Sequence, residues 1–65
     1  MDYKIMIRRH KNGQPEFTGC IVPYGDAATI FAKGFQAALH ACCKPYQVLV
    51  FTEWGKLYYE CKKEW

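Results

Sequence analysis

Nothing in this sequence approaches the ~20 consecutive apolar residues that a bilayer-spanning helix needs, which argues against a membrane anchor. It has no glycine-rich phosphate loop. The five glycines are dispersed, each beside a turn, in a strand or within a helix. There is no CxxC or HxxxH pair, and the only two histidines, His10 and His40, are not brought beside a carboxylate or thiol by spacing. His40 and Cys43 stand at i, i+3 and could share one metal face, but no second ligand pair accompanies them. The expectation is a non-enzymatic protein with no cofactor and no metal. The amino terminus also lacks the order of a secretory leader, because MDYKIMIRRHK sets its charges among and after its few apolar residues. That favours a cytoplasmic protein whose four cysteines are reduced. Cys20, Cys42 and Cys61 fall at apolar positions of their segments, and adjacent Cys42 and Cys43 point ~100° apart on a helix.

What is present is apolar and aromatic. Hydrophobic residues make up 51% of the chain and aromatics 17%. Large aromatic areas let so short a chain build a core, although 65 residues lies near the lower limit for a single domain (1–65) without cross-links. The net charge of +3 permits contact with nucleic acid or with an acidic protein surface, and selects neither.

Tyr3 to Arg9 alternate, with Tyr3, Ile5 and Ile7 on one face and Lys4, Met6 and Arg8 on the other. Asn12-Gly13 predicts a two-residue type I′ hairpin turn. Folding there pairs Arg9 with Glu16, Ile7 with Thr18, Ile5 with Cys20 and Tyr3 with Val22. On the other face it sets Arg8 against Phe17, Met6 against Gly19 and Lys4 against Ile21. Pro23-Tyr24-Gly25 ends the second strand, and Asp26 is placed to cap a helix over Ala27–Cys43 that Pro45 stops. A second alternating run follows: Tyr46, Val48, Val50 and Thr52 share one face, Gln47, Leu49 and Phe51 the other. Gly55 marks a turn at Trp54-Gly55 or Gly55-Lys56. Leu57, Tyr59 and Cys61 then join the Val48 side, and Tyr58, Glu60 and Lys62 join Leu49. The predicted fold is α+β: a small ββαββ domain, its antiparallel sheet of two hairpins curved around a single helix.

The helix is unusual for its narrow polar stripe. Thr29, Lys33, Gln36 and His40 fall within an arc of about 60°, and nearly everything else is apolar or small. Such a helix must be wrapped by a curved sheet or by a partner. Phe31 and Phe35 stack at i, i+4 on the expected core side, with Ala27, Ala38 and Cys42 beside them. Ile30, Gly34, Ala37 and Ala41 form a small-residue flank, where Gly34 costs ~1 kcal/mol against alanine unless another backbone approaches closely.

One helix covers one sheet face, so the other carries the candidate site. The binding residues expected there are Phe17, Leu49, Phe51 and Tyr58 as anchors, with Arg8, Lys4 and Lys62 at the edges. The leading expectation is a small binding protein that sterically occupies a macromolecular partner, most readily another protein. Size and architecture lean towards a phage or mobile-element inhibitor of a host nucleic-acid-targeting complex. One alternative is a single-stranded nucleic-acid binder stacking bases on Phe17, Phe51 and Tyr58. Another is a regulatory or structural homodimer using the same face. Strong sheet curvature that buries this face is the structural alternative to all three, and the Ile30 flank is the next surface in line.

Overall fold

The computed structural model describes residues Met1–Trp65. In chain order the elements are β1 (Tyr3–Arg8), β2 (Glu16–Val22), α1 (Gly25–Ala41), β3 (Gln47–Thr52) and β4 (Leu57–Glu60), the ββαββ order read from the alternation. They build one sheet of order β2-β1-β3-β4 in which every neighbouring pair is antiparallel. The two hairpins meet through β1 and β3, and α1 carries the chain from the β2 edge back to the sheet centre. No helix is long and apolar enough to cross a membrane.

The core forms where α1 lies closest to the sheet. Ile5, Val48, Val50 and Cys61 meet Ala28 and Ala32, and every one of these is at most 4% exposed. Tyr3, Ile7, Cys20, Val22, Phe35, Leu39 and Tyr59 close around them. The sheet side of this set follows the alternation. The helix side does not follow the expected aromatic stack. Phe31 and Phe35 do meet edge to face, with ring centroids 6.0 Å apart, but Phe31 is 44% exposed. Two alanines occupy the contact line instead, because a small side chain lets the helix axis approach the sheet.

This rotation exposes an apolar surface. Ala37, Ile30, Ala41, Gly34, Ala27, Ala38 and Phe31 fill a continuous arc of ~120° on the side away from the sheet. All seven are exposed, Ile30 at 70%. The sheet therefore covers one side of the helix and does not wrap it. Gly34 has no atom within 4 Å of where a Cβ would sit, so no backbone of this chain approaches it. Gly34→Ala should accordingly raise stability by about 1 kcal/mol, read as a shifted denaturant midpoint.

The polar stripe lies on the flank beside β3, and part of it is structural. The Gln36 amide nitrogen donates to the Tyr46 carbonyl at 2.9 Å, and its amide oxygen accepts from the Val48 N–H at 2.7 Å. A side chain thus closes the start of β3 where ladder partners run out. Gln36→Leu strands both part-buried groups and should cost about 1–3 kcal/mol. Lys33→Ala, on the same stripe but exposed, should stay within about 0.5 kcal/mol in the same denaturant melts.

The helix ends differ from expectation by about two residues. Tyr24 takes the N-cap position with no side-chain hydrogen bond, and Asp26 sits inside the first turn, so it is not the cap. Its carboxylate still faces the positive end of the helix dipole. At the other end Cys43 adopts φ 59°, its N–H reaching the His40 carbonyl and the Lys44 N–H the Leu39 carbonyl. That pair of bonds is a Schellman closure with cysteine where glycine is usual. The chain leaves the helix there, which puts Cys42 in solvent and corrects its expected burial.

Both hairpins form with turns other than those expected. The Gly13 N–H bonds the His10 carbonyl at 3.0 Å, and neither Asn12 nor Gly13 has positive φ, so the type I′ turn is absent. Moving the turn one residue earlier pairs Met6 with Phe17 and Ile7 with Glu16. The Lys4–Ile21 and Tyr3–Val22 pairs are nevertheless as expected, because an irregularity in β2 absorbs the difference. Gly19 supplies it at φ +89°, and the Thr18 hydroxyl takes over as donor to the Ile5 carbonyl at 2.8 Å. In the second hairpin Glu53-Trp54-Gly55 makes a three-residue loop. The Thr52 N–H bonds the Lys56 carbonyl, and Gly55 stands at φ +81°.

Candidate binding face

The register sets the residues of the far sheet face in rows. Ile21, Lys4, Phe51 and Leu57 lie side by side across β2, β1, β3 and β4. Phe17, Met6, Leu49 and Glu60 form the next row, and Arg8 opposite Gln47 the third. Phe17, Ile21 and Leu57 are each about half exposed, at 49%, 50% and 46%, while Met6 and Phe51 are half-buried. The outer strands stand ~14 Å apart at the usual strand spacing. The surface is thus an apolar strip about four strands wide.

Of the seven expected binding residues, five lie on this face and two leave it. Phe17 and Phe51 are on it as expected. Leu49 is on it but only 1% exposed, so it supports its neighbours from below and offers no area to a partner. Lys4 and Arg8 also lie here. The Lys4 ammonium stands 5.9 Å from the Phe17 ring centroid, a cation–π contact. Arg8 approaches the Glu60 carboxylate at 4.0 Å, a partly exposed pair worth little to stability. Arg8 Nε and Gln47 Oε1, a donor and an acceptor on opposed residues, are both buried without a partner.

Tyr58 leaves because of a β-bulge between Val50 and Phe51, where Val50 pairs with Tyr59 but Phe51 pairs with Leu57. Leu57 takes the far face and Tyr58 turns to the helix side, exchanging the places expected of them. There its ring lies 4.7 Å from that of Tyr3. A Cβ at Gly25 would meet its hydroxyl at 2.5 Å, so glycine at the helix start admits the tyrosine. Lys62 leaves because the chain beyond β4 runs alongside the helix, where it lines a cleft with Lys33 and His40.

Ile21 lies on the face expected of it but is not among the expected binding residues, and Leu57 is expected on the helix side. The pairing of Ile21 with Lys4 was readable from the first hairpin. Gly55 as the last residue of a three-residue loop would have placed Leu57 opposite Phe51. Tyr24 and Trp54, 72% and 71% exposed, sit at the end of the molecule that carries the Ile21 row.

All four cysteines are free thiols. Burial pushes the Cys61 thiol up from its ordinary 9.0, with Lys33 pulling weakly the other way, and its sulfur donates to the Ala32 carbonyl at 3.4 Å. Cys42 and Cys43 are exposed. Maleimide should label those two first, with Cys61 labelled only on unfolding, as peptide mapping would read. The protonated Cys61 supports the fold fully below pH 9.0, and this support declines as pH rises through the raised value.

No three His, Cys, Asp or Glu side chains gather closely enough to hold a metal ion. The chain matches no protein-family model, no curated protein and no solved structure.

Proposed function

We propose that this chain is a non-enzymatic binding protein that sterically occupies a protein partner through the far face of its sheet. The observation that supports it is the apolar strip from Ile21 and Phe17 to Leu57, left in solvent by a molecule with a core of its own. Half-exposed aromatic and aliphatic anchors over a buried Leu49 have the make-up of an interface centre, and Lys4 and Arg8 set register at its polar positions. Within this class we place the chain among inhibitors of nucleic-acid-targeting complexes, a narrower reading that rests on size and ββαββ order.

A protein is favoured over single-stranded nucleic acid by what leaves the face and what stays. Tyr58, one of three expected stacking platforms, packs on Tyr3. Glu60 stands beside Arg8 and offsets its charge. The test is affinity capture from lysate with and without nuclease. Recovery of the same protein in both arms supports the reading, and recovery only while nucleic acid is intact overturns it.

A further inference from the structure

A second site lies on the other side of the molecule, between the polar flank of α1 and the carboxy-terminal segment. A cleft of about 560 Å³ opens there, lined by Lys33, Gln36 and His40 from the helix and by Lys62, Lys63 and Glu64 from the chain beyond β4. A smaller cleft adjoins it, sharing His40 and Lys63 and adding Lys44. Four of the nine lysines and arginines thus converge on one groove, with one of the six acidic residues. From this convergence we infer that the cleft is a binding site for a small phosphate-bearing anion.

Three observations carry it. First, the cations come from two separate segments and line one open cleft, so their positive charges add at a common place. Second, the walls are held. Gln36 is tied by its amide nitrogen to Tyr46 and by its amide oxygen to Val48 at the start of β3, and Lys33 rests 5.9 Å from the Tyr59 ring centroid. Third, the donor set selects the anion. Every permanent cation here is lysine, a point charge with three rotatable donors that meets phosphate oxygens without a fixed fork geometry. Tetrahedral phosphate oxygens accept from several directions at once, which three or four ammonium groups around one cavity supply. The cleft, about 560 Å³ and open to solvent, has room for a nucleotide or a short polyphosphate. The site is independent of the sheet face and shares no residue with it, Lys62 having moved from the one to the other.

Tripolyphosphate is the probe. Titrated into isotope-labelled protein, it should shift the backbone amide signals of Lys33, Ala37, His40 and Lys62–Glu64 and leave those of the far sheet face in place. Citrate at equal ionic strength should bind at least tenfold more weakly. The double variant Lys62→Ala, Lys63→Ala, whose changes lie outside every helix and strand, should keep its melting temperature and lose affinity at least tenfold. A control with the same loss of charge elsewhere, Lys11→Ala with Lys56→Ala, should change affinity less than twofold. Equal losses in the two double variants, or equal binding of citrate, would overturn the site. A single-stranded oligonucleotide that binds through the same lysines far more tightly than tripolyphosphate would overturn the small-ligand assignment.

Discussion

Ile5→Ala should abolish most of the stability of this protein. Ile5 is fully buried at the centre of the sheet, opposite Val50 on β3 and beneath Ala28 and Ala32 of the helix. Removing its outer carbons forfeits their transfer energy and leaves a void between two rigid layers, a loss of about 2–5 kcal/mol. The helix cannot settle into that void easily, because alanines already hold it near the sheet. Sixty-five residues correspond to a total stability of roughly 3–10 kcal/mol, so the loss is a large share of the whole. Only eight residues are buried, and no second core exists to sustain half the fold. Denaturant melts should therefore show a single transition moved to much lower concentration, and calorimetry a correspondingly lower melting temperature. A loss below about 1 kcal/mol would mean that the sheet and helix do not meet at this point.

The strands were legible because their alternation is strong. Tyr3, Ile5 and Ile7, and again Val48 and Val50, leave no doubt about which side turns inward, and the helix between Gly25 and Pro45 is equally clear from composition. What periodicity could not supply was the rotation of that helix. Its apolar residues occupy both the inner and the outer arc, so hydrophobic pattern alone favours the large pair Phe31 and Phe35. The structure is decided instead by closeness of approach, which selects Ala28 and Ala32. The polar stripe was read correctly as narrow, yet Gln36 within it serves the backbone of β3 and not water.

The binding face was legible in its middle and lost at its edges. Phe17, Phe51, Lys4 and Arg8 follow from alternation within single strands. Tyr58 and Leu57 exchange places because one residue bulges out of the ladder, while Tyr59 and Glu60 beyond it keep the faces that alternation assigns them. The first hairpin escaped that penalty. Its irregularity near Gly19 changes the register by two residues, which preserves the faces but moves Phe17 from Arg8 to Met6. The helix side of Lys62 had no local sign at all, since it depends on where the chain goes after β4 ends.

The most direct measurement is partner capture by a variant that alters the far face without touching the core. Phe17→Ser with Ile21→Ser suits this, because both side chains are about half exposed and lie on the edge strand β2. The double variant should keep the wild-type circular dichroism spectrum and lose little melting temperature. Interface anchors commonly contribute ~2 kcal/mol or more each, so with both removed the affinity for the captured protein should fall by roughly 1,000-fold. The wild-type complex should weaken only slightly between about 50 and 200 mM salt, since apolar contact releases few counterions. A folded double variant that captures the same protein undiminished, or a complex that dissolves steeply with salt, would contradict the far sheet face as the docking surface.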